Sequence, residues 1–271
     1  MASSSPITSS ARITSSHPIA SFTVAVGDRS GSMCSYGRSG VAGQYYEQLR
    51  ILWETANEGT TPTFYTLISF DGTAEIFINQ LRLDGLHEED LPTIDSFCKA
   101  LCPRGSTRLY DTALEGLALL KEQVENFKKG LPRMVACLDP TIATQFVLNT
   151  DGMDNVSSSG SRDRMRREIG LAQGRGTVTI FLGANMDATR AGASMGFKKE
   201  TTVQMGTDQL SASVCLRAVS NTLARAMTGG STQIDLPEDN NQSSSPVEWG
   251  TAPQMPGLSP GFPSMPPLRR Y

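Results

Sequence analysis

Residues 21–33 read SFTVAVGDRSGSM, an uncharged strand-like run that ends abruptly in acidic and hydroxyl side chains. The apolar half is typical of a strand that is covered on both faces of a sheet. Asp28 ends that run, and Ser30 and Ser32 follow at alternate positions. Asp and Ser also favour turns and helix caps. The stretch alone therefore leaves two interpretations open, a capped turn or a set of side-chain oxygens that converge on a ligand.

Strand-like and helix-like segments alternate on the C-terminal side of this stretch. The further strands are predicted at 63–70, 74–81, 144–150, 177–183 and 200–205, and the main helices at 45–57, 88–101, 110–128, 162–173 and 207–227. The pair Asp71-Gly72 between two strands indicates a hairpin. This alternation favours an α/β protein with a doubly wound, mainly parallel sheet, one antiparallel edge strand and helices on both faces.

Three polar segments follow strand ends or open a helix in this scheme: DRSGSM, GSTRLYD and NTDGMDN. Ligands on doubly wound sheets bind outside the carboxyl ends of the strands, where the strand order reverses. We therefore expect Asp28, Ser30, Ser32, Thr107 and Asp151 to lie at one edge. All five offer oxygen donors, which suit Mg²⁺ or Mn²⁺, whereas zinc prefers nitrogen and sulfur.

These residues resemble the metal-ion-dependent adhesion site (MIDAS) of the von Willebrand factor type A family, D-x-S-x-S with a distant Thr and a distant Asp. The resemblance covers about residues 21–228, and FLGANMDATRAGASMGF (181–197) is similar to microbial and viral members. It implies a Rossmann-like fold in which the two serines and the threonine bind the cation, while the aspartates often act through water. It also implies that an exposed Asp or Glu of a partner protein completes the site. The Gly/Ser-rich stretch at 34–43 departs from the family pattern, in which a helix begins sooner.

Arginines flank the same segments. Arg29, Arg104 and Arg108 are candidates for a rim that would steer an acidic partner toward the cation. The alternative is that arginine-rich runs, such as SRDRMRRE at 161–168, are solvated surface.

Composition divides the chain into a flexible Ser/Thr-rich arm at 1–20, a domain at 21–229 and a Pro-rich extended tail at 230–271. The tail holds more than half of the chain's 15 prolines, a composition that does not form a packed core alone. Its large apolar residues include Trp249, Phe262 and Tyr271. They leave open a plain disordered tail or a strap that docks on neighbouring subunits of an assembly.

Bulk properties exclude several classes of protein. A net charge of −3 argues against nucleic-acid binding, and no apolar run is long enough to span a membrane. The N-terminal sequence lacks the apolar core of a secretory signal, so the five cysteines are expected to be reduced thiols. We expect a soluble, intracellular (cytoplasmic) protein, with a virion or another large particle as the alternative location.

Enzyme signatures are missing from the sequence. It contains neither a phosphate-binding G-x-x-x-x-G-K-[ST] loop nor a G-x-G-x-x-G fingerprint, and Ser30 stands where a D-x-D phosphatase needs an acid. A serine triad needs a histidine, and the only two, His17 in the N-terminal arm and His87 in a polar segment, are expected to be surface residues. The sequence thus favours a non-enzymatic, cation-dependent protein-binding module. A structural subunit of a large assembly, such as a virus particle, is the alternative, and a metal-dependent hydrolase is a weaker third candidate.

Overall fold

The structure is a computed structural model that describes residues 17–36, 40–152, 154–184, 186–206 and 209–236. The strands are β1 (Ala20–Asp28), β2 (Thr63–Phe70), β3 (Ala74–Arg82), β4 (Ile142–Thr150), β5 (Val178–Ala184) and β6 (Thr202–Met205). The helices are α1 (Gly40–Glu58), α2 (Ile94–Ala100), α3 (Leu109–Gly130), α4 (Arg133–Ala136), α5 (Ser161–Gly174), α6 (Ala188–Met195) and α7 (Gln209–Met227). Short 3₁₀ turns lie at Gly31–Tyr36, Glu88–Asp90 and Lys199–Thr201.

The described strands form a six-stranded sheet in the order β3-β2-β1-β4-β5-β6. Every neighbouring pair is parallel except β2 and β3, which form an antiparallel hairpin at one edge. The predicted fold class, a mainly parallel sheet with one antiparallel edge strand, is confirmed.

Side chains of the central strands alternate between two apolar cores, one on each face of the sheet. Ala25 of β1 faces the core that is shared with α1, α2 and α7. Its neighbours Val24 and Val26 face the core shared with α3, α5 and α6. All nine residues of β1 are buried, because a strand covered by helices on both faces has no solvent side.

The strand order reverses between β1 and β4. The chain leaves β1 toward β2 on one side, and it leaves β4 toward β5 on the other. Residue Gly27 pairs with Asn149, so the two strands end side by side. A crevice outside the carboxyl ends of strands at such a reversal is where doubly wound sheets bind ligands.

Two of the predicted helices differ from the structure by more than two residues. Helix α1 begins at Gly40 rather than at residue 45, because Val41 and Ala42 are buried in the core and tertiary packing outweighs the poor helix propensity of glycine. The single helix predicted at 88–101 is instead a 3₁₀ turn followed by α2. Pro92 lacks a backbone donor, and the Thr93 side chain caps the new helix start by accepting from the Ser96 amide.

The packed structure extends a little beyond the predicted limits of the domain. Ile234 packs against the core of α1 and α7, and Arg225 of α7 forms an ion pair of 3.1 Å with Asp235. The proposed tail anchors Trp249, Phe262 and Tyr271 lie outside the described residues, as does the arm before residue 17. All five cysteines are free thiols. Within the part of the chain that the structure describes, no helix is both long and apolar enough to cross a bilayer.

Candidate metal centre

Asp28 is the last residue of β1, and it is fully buried at the reversal point of the sheet. One carboxylate oxygen, Oδ1, accepts a hydrogen bond of 2.6 Å from the Ser30 amide. The other, Oδ2, accepts one of 2.5 Å from the Thr150 hydroxyl at the end of β4. The carboxylate of Asp28 therefore ties the loop after β1 to the neighbouring strand.

The two serines and Asp151 continue the cluster. The hydroxyl oxygens of Ser30 and Ser32 lie 3.0 Å apart, and the Ser32 hydroxyl donates to Oδ1 of Asp151 at 2.6 Å. The 3₁₀ turn at Gly31–Tyr36 presents Ser32, and the fully buried side chain of Met33 anchors that turn in the core. Asp28, Ser30, Ser32 and Asp151 thus form a continuous polar cluster across the ends of two strands.

Thr107 reaches the same point from the loop before α3. A Cβ atom built on Gly152 would lie 3.5 Å from the hydroxyl oxygens of both Ser32 and Thr107, so the two hydroxyls face one small volume. Asn155 holds Thr107 in place, since its side chain accepts from the Thr107 amide at 2.9 Å and its own amide donates to the Thr107 carbonyl at 3.1 Å. The structure therefore brings together all five residues selected from the sequence.

The electrostatics of the cluster favour a cation. The pKa of Asp28 is raised from 3.8 to about 6, chiefly by burial and to a smaller extent by the nearby charge of Asp151, while hydrogen bonds from Thr150 and Ser30 act in the opposite direction. Two acidic side chains in a buried cluster repel each other when both are ionised. A bound cation would relieve that repulsion.

The donor set fits Mg²⁺ or Mn²⁺ better than a softer metal. Three hydroxyls and two carboxylates supply oxygen, the ligand atom that these cations prefer. Within the described residues, no group of three or more His, Cys, Asp or Glu side chains is arranged to hold a metal ion. A zinc-type or carboxylate-cage site is therefore not found there, whereas a hydroxyl-rich centre does not depend on such a group.

The three rim arginines occupy different environments. Arg29 is 1 % exposed, and its guanidinium bonds to Asp71 at 3.2 Å and to Glu75 at 2.9 Å, so its charge is neutralised inside the protein. The Arg104 side chain is 55 % exposed and bonds to the same two carboxylates. Arg108 is about a third exposed and pairs with acidic residues of α3. Only the latter two present cationic surface near the cluster.

Sequence reasoning missed several residues that position this site. Asp71 served in the sequence only as a turn signal, yet it follows β2 at the same edge as Asp28. Asp154 caps α3 from a distant loop by accepting from the amides of Leu109 and Tyr110 at 2.8 and 3.4 Å. The sequence offered one signal that both acids lie near the site: each follows the carboxyl end of a parallel strand.

Asp111 lies in the first turn of α3. Its carboxylate also accepts from the amide of Ser158 at 2.9 Å and from the hydroxyl of Ser161 at the start of α5. Asp111 and Asp154 thereby fix the loop that carries Asp151 and Asn155 to the start of α3.

No known family profile matches the sequence, and no curated protein matches it. Solved structures do match. The pilus adhesin SpaC from Lactobacillus rhamnosus GG, in its open conformation, aligns with a TM-score of 0.54 and 13% identity over 78% of this chain and 30% of the adhesin. The von Willebrand factor domain of the type V pili tip protein Mfa5 from Porphyromonas gingivalis aligns with a TM-score of 0.52 and 10% identity over 79% of this chain and 98% of that domain.

A third similar structure is proximal thread matrix protein 1 from the mussel byssus with a zinc-occupied MIDAS motif. It aligns with a TM-score of 0.44 and 16% identity over 78% of this chain and 47% of the mussel protein. The chain thus spans less than half of the mussel protein and less than a third of SpaC. The matches to SpaC and Mfa5, both with TM-scores above 0.5, together with the sheet order, give this chain the α/β fold of von Willebrand factor type A domains.

Proposed function

We propose that this protein is a divalent-cation-dependent protein-binding module whose centre is a MIDAS. The single observation that supports this most strongly is the convergence of Ser30, Ser32 and Thr107 on one volume between Asp28 and Asp151. Those are the residue types and the chain order of the adhesion-site pattern. They stand at the point of the sheet where this architecture binds ligands.

In this proposal the three hydroxyls contact Mg²⁺ or Mn²⁺, and the two aspartates balance its charge, directly or through water. Hydroxyl ligands are neutral, so the cation keeps a strong attraction for an anion outside the protein. A carboxylate from an Asp or Glu of a partner protein would then complete the coordination. Arg104 and Arg108 are exposed enough to add to the attraction, although each is already paired with acidic groups.

The site supports binding better than turnover. General base catalysis needs a titratable group held next to the substrate. His17 contacts the end of α7 through the Thr228 carbonyl. His87 follows β3, which ends at the opposite end of the strands from Asp28. The names of the similar structures agree with a binding role, since one is a pilus adhesin and another a pili tip protein.

Calorimetric titration of the full chain with Mg²⁺ and with Mn²⁺ tests the metal part of the proposal. We expect saturable binding at one site that Asp28→Asn weakens by at least about 10-fold, because removing a charge next to a cation lowers its affinity. Asp163→Asn is the matched control, since Asp163 is an exposed acid on α5. Absence of metal binding to the unmodified chain would refute the proposal.

Selection of displayed random peptides on the immobilised full chain tests the partner part. Peptides captured in Mg²⁺ and released by EDTA should share an Asp or a Glu. Captured peptides that lack an acidic residue, or that remain bound in EDTA, would contradict a carboxylate-to-metal contact.

A further inference from the structure

Asp71 lies just after β2, beside the metal centre, and is 6% exposed. Its Oδ2 atom accepts from Nε of Arg29 at 3.2 Å and from Nε of Arg104 at 2.8 Å. Its Oδ1 atom accepts from the amide and the hydroxyl of Thr73 at 2.8 and 3.0 Å. Both carboxylate oxygens are thus engaged by donors of the chain, so Asp71 does not act as a ligand of the metal.

The first arginine held by Asp71 lies inside the D-x-S-x-S segment. Arg29 stands between Asp28 and Ser30, and its buried guanidinium also bonds to Glu75 and to the Ala100 carbonyl, each at 2.9 Å. The backbone of Arg29 is fixed as well, because its amide donates to the Phe70 carbonyl at 2.7 Å. Asp71 therefore neutralises the side chain that anchors the serine-bearing loop.

The second arginine belongs to the loop that carries Thr107. The Arg104 amide donates to the Arg29 carbonyl at 2.7 Å, which joins this loop directly to the serine-bearing loop. On the other side of Thr107, the Arg108 amide donates to the Asp71 carbonyl at 2.8 Å. Gly105, between them, has a φ of +70°, and a Cβ there would lie 3.5 Å from Cβ of Asp71. The Thr107 loop is thus held to Asp71 at both ends.

We propose that Asp71 is a positioning residue of the metal centre, and that its contacts with Arg29, Arg104 and Arg108 set the relative placement of the Ser30–Ser32 loop and Thr107. This inference rests on the proposed function for its link to a cation. It adds a residue that belongs to no part of the adhesion-site pattern. Charged groups that orient metal ligands typically change metal affinity by about 10- to 100-fold when they are removed.

The first test compares Asp71→Asn with a matched control in the full chain. The introduced asparagine keeps the shape of the side chain but places an amide donor where Oδ2 now accepts from two arginines. Asp84→Asn removes a similar charge at the far end of the same hairpin, where Asp84 accepts from Arg82 at 2.6 Å and from the Thr63 amide at 2.9 Å. Calorimetry at a temperature where both variants are folded should show Mn²⁺ affinity reduced about 10- to 100-fold by Asp71→Asn and changed less than about twofold by Asp84→Asn.

Amide hydrogen exchange of the metal-free chain provides a second readout that does not depend on metal binding. Asp71→Asn should accelerate exchange in peptides that cover residues 103–108 by about 10-fold, because their amides donate to Arg29 and to Asp71 itself. Asp84→Asn should leave those peptides unchanged.

The two readouts separate failure of the inference from failure of the proposed function. If the unmodified chain binds no cation, the proposed function fails, and hydrogen exchange alone then decides whether Asp71 places the two loops. Unchanged exchange in Asp71→Asn would overturn the inference, and so would equal loss of metal affinity in both variants.

Discussion

Replacing Asp28 by Asn should stabilise the metal-free protein while weakening its response to metal. Asparagine has the shape of aspartate, and its carbonyl oxygen would accept the hydrogen bond from the Ser30 amide. Its amide group would donate to the Thr150 hydroxyl, which lies 3.2 Å from the Gly152 carbonyl and would turn its own proton there. The substitution thus removes a buried charge and keeps both of the hydrogen bonds that hold the side chain.

The size of the effect follows from the pKa of Asp28. Burial raises that pKa from 3.8 to about 6 in the folded protein. Each pKa unit is worth about 1.4 kcal/mol, so the ionised carboxylate costs the metal-free fold about 3 kcal/mol at pH 7.5. Because the folded state binds the proton more tightly than the unfolded state, this cost is small below pH 4, grows as pH rises, and is complete above pH 6. At pH 5 it should be about half as large.

Urea denaturation of the full chain in EDTA measures this difference. At pH 7.5 the free energy of unfolding of Asp28→Asn should exceed that of the unmodified protein by about 3 kcal/mol, and the gap should shrink as pH is lowered to 4. Adding Mg²⁺ should stabilise the unmodified protein more than it stabilises the variant. A variant in EDTA at pH 7.5 that is no more stable than the parent would refute the reasoning.

Two further predictions concern packing and the placement of Thr107. Gly116→Ala should destabilise the fold by about 1–3 kcal/mol, since the new methyl would lie 2.8 Å from a methyl of Val26. Gly170→Ala, at an exposed position of α5 where nothing lies within 4 Å, should instead stabilise the fold by about 1 kcal/mol. Urea unfolding of the pair checks the opposite signs, and equal signs would contradict the packing argument. Asn155→Ala removes the acceptor of the Thr107 amide, so we expect a loss of about 1 kcal/mol and about 10-fold weaker Mn²⁺ binding by calorimetry. Unaltered Mn²⁺ affinity in that variant would show that Thr107 does not need this support.

The sequence predicted the fold class because its strand and helix segments alternate clearly. The uncharged run SFTVAVG predicted a strand that is buried on both faces, and Asp71-Gly72 predicted the hairpin. Placement of Asp28 and Asp151 at one edge followed from the parallel sheet. Selection of Thr107 depended on the family resemblance, since a threonine before a helix has many ordinary explanations.

The contacts that position the site were not readable from the sequence. Arg29 pairs with Asp71, which is 42 residues away, and Asp154 caps a helix that begins 45 residues before it. Such pairs depend on how loops from three strands meet, and local propensity contains no information about that meeting. Arg29 was accordingly expected at a partner-facing rim, whereas the structure buries it as a link between loops.

The most direct test of the metal centre is anomalous diffraction from crystals of the full chain grown with Mn²⁺. The account predicts a peak about 2 Å from the hydroxyl oxygens of Ser30, Ser32 and Thr107, the bond length that small divalent cations require. A map without a peak between these hydroxyls, from protein that calorimetry shows to be saturated with Mn²⁺, would contradict it.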